Sequence, residues 1–153
     1  MFLAGGMAQH FYSGGRYTED VDASFSHRLM VPAKDLTIDY VREDGSPATL
    51  YFDANYSDTF ALMHPDHRKD SREWPGIGNE RRLIQLYVLS PIDLALSKVS
   101  RFSEQDHADI LVLAEHGLVD ADELRARATE ALEYYVGDTR WIQINLDELA
   151  REI

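Results

Sequence analysis

Asp44-Gly45 stands between residues 36–43 and 48–54, two runs rich in β-branched and aromatic side chains. Turn chemistry of this kind between two such runs fixes a β-hairpin, and with it an antiparallel strand pair. A hairpin cannot bury itself, so the rest of the chain has to supply a sheet and a covering layer. The other segments divide cleanly. Residues 17–25 place Val21, Ala23 and Phe25 at alternate positions with Asp20 and Asp22 between them, the period of a strand. Residues 83–89 read as a further buried strand, 2–4 as a short apolar stub, and 7–13 as a helix opening behind Gly5-Gly6 and stopped by Gly14-Gly15.

The last part of the chain is helical. Ser90-Pro91 is an N-cap followed by a proline in the first turn, opening a helix to about Arg101. Ser103 caps a second helix ending at Gly117, and Asp120 with Glu123 opens a third running to Gly137. Residues 146–152 form a final short turn or helix. Strands first and helices later predict an α+β or mixed α/β fold with a C-terminal helical part, divided as a core over 1–102 and helices over 103–153. Between the strands, 59–64 reads as helical, and Pro65, Pro75, Gly76 and Gly78 mark a long loop.

Composition excludes whole classes. The 153 residues contain no cysteine, which removes disulfide scaffolds, thiolate metal sites and cysteine nucleophiles. No apolar run reaches the ~20 residues of a membrane helix, and the first residues lack the layout of a signal peptide, so a cytoplasmic protein is expected. The net charge is −12, with 4 basic and 13 acidic side chains in residues 103–153. That balance argues against coating nucleic acid by phosphate neutralisation. The basic residues Arg68, Lys69, Arg72, Arg81 and Arg82 alternate with acids and read as salt-bridged surface, with Trp74 the one aromatic among them that could contact RNA. His64-Pro65-Asp66-His67 puts two imidazoles near a carboxylate, but proline breaks any rigid support there, so it reads as a solvated loop and not a metal site.

The chemistry concentrates near the start. Asp20 and Asp22, two apart on a strand, project to one side and can share hard cations ~3.5–4 Å apart, the arrangement for in-line phosphoryl chemistry. Gly5-Gly6 opening a helix leaves backbone N–H groups at a positive helix end, which suits phosphate oxygens. Arg16 and Thr18 could add a cation and a hydroxyl to the same anion. Lys98 lies on the flank of the stripe made by Ile92, Ala95, Leu96, Val99 and Phe102, from where its stem either snorkels or reaches toward the carboxylates. Asp106 and Asp109 fall in the first turns of a helix that is apolar nearly all round, and a buried Asp109 would need Lys98 or Arg101 as partner.

Gly-Gly, 13 intervening residues and Asp-Val-Asp together resemble the signature of the polymerase-β-type nucleotidyltransferase superfamily. The wording Gly-Gly-Met-Ala … Arg-Tyr-Thr-Glu-Asp-Val-Asp is similar to the AbiEii-like branch, which includes toxins of bacterial toxin–antitoxin systems. A second block, residues 90–101 followed by Asp106-His107-Ala108-Asp109, resembles that family's Lys, Arg, Asp-x-x-Asp pattern. The resemblance implies a two-metal Mg²⁺ site on Asp20 and Asp22, an NTP substrate, loss of pyrophosphate, and a tRNA or protein acceptor. It implies nucleotide contacts from Gly5, Gly6, Arg16, Thr18, Arg101 and Asp109, and a catalytic Lys98. Many relatives add a third carboxylate from a neighbouring strand, for which Asp53 is preferred over Asp39. The family normally has a helix and more strand before Gly-Gly, so a dimer or a complex with an antitoxin is expected to cover what is missing. A non-catalytic interaction module is the alternative.

Overall fold

The computed structural model describes residues 1–15, 17–27, 30–53, 61–74 and 84–153. They form a mixed sheet of six strands and five α-helices, an α+β fold whose last elements are helical. Two compact units organise the chain: Met1–Ser57 with Arg72–Val88, and Asp58–Ser71 with Leu89–Ile153.

The first unit holds the sheet. Its strands are β1 (Phe2–Leu3), β2 (Asp20–Ser24), β3 (Thr37–Val41), β4 (Pro47–Asp53), β5 (Arg72–Glu73) and β6 (Tyr87–Val88), with helix α1 (Gly5–Ser13) after β1. The order across the sheet is β3-β4-β2-β1-β6-β5. The hairpin β3–β4 is antiparallel with Asp39 opposite Thr49, and its turn closes through Gly45 at φ 84°. The apolar stub over 2–4 supplies a two-residue central strand, antiparallel to β2 and parallel to β6, with Ala4 left to start α1. Its length hides it from any periodicity, and its place is set by neighbours distant in sequence. β5 escapes the sequence for the same reason, being two residues in a stretch that reads as charged surface. Trp74, just beyond β5, packs its half-buried ring 4.7 Å from that of Phe11 on α1. Leu3, Ala8, Val21, Ala23 and Val88 are buried.

The second unit holds α2 (Pro91–Val99), α3 (Glu104–Glu115), α4 (Ala121–Leu132) and α5 (Arg140–Leu149). The caps follow the sequence. Ser90 and Ser103 each accept the backbone N–H three residues on, and Asp120 accepts that of Glu123. Gly117, at φ 66°, ends α3 with its N–H on Ala114 O and that of Leu118 on Leu113 O, a Schellman pair. Helix α4 stops at Leu132, short of Gly137. Helix α5 begins at Arg140, six residues before the expected turn, because Ile142, Leu146 and Leu149 already supply the buried stripe. The expected helix over 59–64 lies partly outside the described residues, and 61–64 form none. Residue 83, the start of the expected strand over 83–89, also lies outside them. His64 departs from the solvated reading: it is buried, its Nε2 pairs with Glu130 at 3.0 Å, and its Nδ1 accepts the Asp66 N–H.

Candidate functional site

β1 gives way to α1 through Ala4, and this junction gathers the first group of sequence-selected residues. Ala4, the N-cap, is extended and donates its N–H to Asp22 O at 2.9 Å, which ties the helix start to β2. Alanine has no side chain to cap the first-turn N–H groups, and no acid stands in that turn. Gly5 follows at φ 54°, a conformation that disfavours any side chain, and a Cβ there would collide with the Asp22 carboxylate. The carboxylate therefore lies against the positive end of α1. Gly6 is constrained in the same way, since a Cβ would stand 2.8 Å from the Cβ and Oγ1 of Thr18. Thr18 Oγ1 also accepts the Asp20 N–H at 3.3 Å, fixing the hydroxyl at the entrance to β2.

The alternation of β2 puts Asp20 and Asp22 on one face and buries Val21 and Ala23 on the other. β4 lies beside β2 in parallel register, with Tyr51 opposite Asp20 and Asp53 opposite Asp22. Register partners share a face at ~4.8 Å between strands, so Asp53 stands in a row with the Asp-Val-Asp carboxylates. Asp39 is one strand further out, opposite Thr49, and accepts that residue's hydroxyl at 2.7 Å. Gly5, Gly6, Thr18, Asp20, Asp22 and Asp53 thus come together in the first unit. Arg16 lies outside the described residues.

Lys98, Arg101, Asp106 and Asp109 come together in the second unit. Lys98 is 5% exposed, so the flank of the α2 stripe is an interior position here and not a place from which to snorkel. Its Nζ donates to Asp109 Oδ2 at 2.8 Å and lies 3.5 Å from Asp106 Oδ1. Asp106, fully buried, takes both Nε and Nη2 of Arg101 at 2.6 Å and closes a capping box with Ser103. Burial alone would push its carboxyl up. The bonds from Arg101 and Ser103 and the charge of Lys98 overcome that, and hold it well below the usual carboxylate range. A second buried pair went unread in the sequence: Asp93, 0% exposed, takes Ser90 Oγ and both Nε and Nη2 of Arg127, which also reaches Asp70 at 2.6 Å. Arg127, on α4 and 34 residues away, has no local signal that could have announced it.

The donors on the β2–β4 face are carboxylate oxygens, which suit Mg²⁺ better than softer ions. Among the described residues no three His, Asp or Glu side chains close into a metal cage. Mg²⁺ held by one or two carboxylates and completed by substrate phosphates and water needs none, so the residues present fit that ion. Paired carboxylates on a strand, set against an uncapped, glycine-opened helix start, suit phosphoryl chemistry at the level of class. The chain belongs to the DUF6036 family, described as nucleotidyltransferases of unknown function, whose model matches residues 3–149. That description supports the nucleotidyltransferase superfamily and names no AbiEii-like branch. No curated protein matches the chain. No solved structure matches it. Among the described residues no helix is long and apolar enough to cross a membrane.

Proposed function

We propose that the protein is a Mg²⁺-dependent nucleotidyltransferase that moves a nucleotidyl group from an NTP to a macromolecular acceptor, tRNA or protein. The observation that carries this is the seat of Asp22. Its carboxylate rests on Gly5 at the start of α1 and stands in register with Asp53. A cation site and a phosphate site then share one wall, as transfer at an α-phosphorus requires.

In this reading Asp20 and Asp22 hold Mg²⁺, and the ion offsets charge on the phosphate oxygens when bound. The first-turn N–H groups of α1 and the Thr18 hydroxyl bind the triphosphate, and Gly5 and Gly6 allow its close approach. Asp53 takes the proton of the attacking hydroxyl. The motif wording further supports a toxin working against an antitoxin as the biological setting. Growth arrest on expression, lifted by a co-expressed neighbouring gene, would bear on that setting separately.

The test is thermal. Two carboxylates on one face repel, and a bound cation with nucleotide relieves them, so millimolar Mg²⁺ plus NTP should raise Tm by mass action. Asp20→Asn and Asp22→Asn should each remove the rise. A wild-type melting curve indifferent to metal and nucleotide would sink the reading.

A further inference from the structure

Register assigns every described strand residue to one face of the sheet. The face shared by Asp20, Asp22 and Asp53 also carries Asp39 and Glu73, giving five carboxylates, and no described strand residue on it is Lys or Arg. The opposite face is apolar apart from Tyr40 and Arg72. Strand order gives the acidic face a direction. β1, which leads into α1, lies on one side of β2, and β4 and β3 lie on the other, while the α1 start rests on Asp22 of β2 itself. With the triphosphate on the α1 start, as the proposed function has it, in-line displacement requires the acceptor to approach from the β4–β3 side. There it meets Asp53, the Asp39–Thr49 pair, and Tyr51, an aromatic side chain 51% exposed directly opposite Asp20.

A nucleic-acid acceptor would bring its own phosphates to this side and find no cation among these residues to neutralise them. A basic polypeptide finds the reverse: on this side Asp39, which in this reading neither holds the metal nor takes the proton, for its charge, and a ring on which a Lys or Arg side chain can lie. We propose that the acceptor is a Ser, Thr or Tyr hydroxyl in a polypeptide segment with Lys or Arg beside it, entering over β4 and β3 and packing on Tyr51. This rests on the nucleotidyltransferase reading and selects one of its two acceptor classes. In the step, the acceptor oxygen forms a bond to the α-phosphorus of the NTP. The bond from that phosphorus to the bridging oxygen breaks, and pyrophosphate leaves with the electron pair. The hydroxyl proton passes to Asp53 and then to water.

The test gives the full chain Mg²⁺ and α-labelled NTPs with three probes: a peptide set presenting Ser, Thr or Tyr between lysines, the same set between glutamates, and bulk tRNA. NTP binding is followed separately by the Tm rise. The expected result is label on the lysine peptides, at least tenfold over the glutamate set, with tRNA unlabelled. Tyr51→Ala should raise KM for the lysine peptide about tenfold, Tyr51→Phe should restore it, and Asp39→Lys should shrink the preference between peptide sets. Label in tRNA, equal label in both peptide sets, or no label on any probe while NTP still binds would each overturn the acceptor assignment and leave the enzyme reading standing. Absence of NTP binding would overturn both.

Discussion

At the scale of single residues the site depends on contacts that leave no room for a methyl group. Gly5 combines a positive φ with the Asp22 carboxylate overhead, so Gly5→Ala is strained in its backbone and blocked in its side chain at once. The left-handed backbone alone costs roughly 1–2 kcal/mol for an L-residue. Chemical denaturation of Gly5→Ala should show at least that loss, and the metal- and nucleotide-dependent rise in Tm should vanish because Asp22 has to turn away. A variant as stable as wild type with the rise intact would mean that the carboxylate does not need its present seat. The pairing of glycine and carboxylate was legible in the sequence, since small residues and acids announce themselves by type. The choice between Asp53 and Asp39 was not. Both lie on strands read from β-branched or aromatic residues, and only register separates them: β4, parallel to β2, puts Asp53 opposite Asp22, and β3, antiparallel to β4, leaves Asp39 opposite Thr49.

Elements were legible where their ends carry side-chain chemistry, and obscure where tertiary pairing alone defines them. The Asp44-Gly45 hairpin and the caps at Ser90, Ser103 and Asp120 stand where expected, because each signal is a local hydrogen bond or turn. β1 and β5 have two residues each, too few for a period to register, and of the strand expected over 83–89 the described residues form only the two of β6. The Lys98 cluster shows how an element's interior changes an expectation. From the flank of its stripe, with its stem reaching toward Asp20 and Asp22, Lys98 reads as a residue that serves the chemistry and does little for the resting fold, its loss shifting stability by less than about 1 kcal/mol. Buried, it is instead a cation paired with the interior Asp109, and it adds to the Arg101 pair at Asp106. Lys98→Met should therefore destabilise the protein by about 3 kcal/mol, the range for removing one partner of a buried pair, read as a fall in urea midpoint at constant slope. Asp106 adds a pH signature. Its folded carboxyl titrates below the unfolded value of about 3.9. The unfolded chain then takes up the proton first, and the stabilisation is present above that value and lost as pH falls toward the folded one. The stability gap between wild type and Asp106→Asn should accordingly be widest near neutral pH and close below about pH 4. A gap constant from pH 7 to pH 3 would show that Asp106 acts through packing and not through its charge.

At the scale of the whole chain the governing quantity is charge. The chain carries a net of −12, its described strands put five carboxylates on one sheet face, and residues 103–153 alone contribute −9 from 4 basic and 13 acidic side chains. Proteins that hold RNA by its backbone release condensed counterions as Lys and Arg replace them, so their affinity falls steeply as salt rises. This chain gives a polyanion little to replace and much to repel. Without nucleotide it should therefore leave labelled tRNA unbound at micromolar protein, at both ~20 mM and ~150 mM salt. At the lower salt, with a Debye length of ~20 Å or more, repulsion acts over most of a domain's width, so weak binding should not emerge there either. Fluorescence anisotropy of the tRNA checks this directly. A rise at low salt that collapses at 150 mM would reveal a basic stripe, with the log–log slope counting its phosphate contacts. Mg²⁺ makes the experiment more discriminating. If the acidic face is what excludes RNA, cations bound at Asp20 and Asp22 should weaken the exclusion, whereas Asp20→Asn/Asp22→Asn should no longer respond to the ion in this way. Unbound tRNA under all of these conditions would place the exclusion in the acidic charge of the chain at large rather than in the carboxylates of the site.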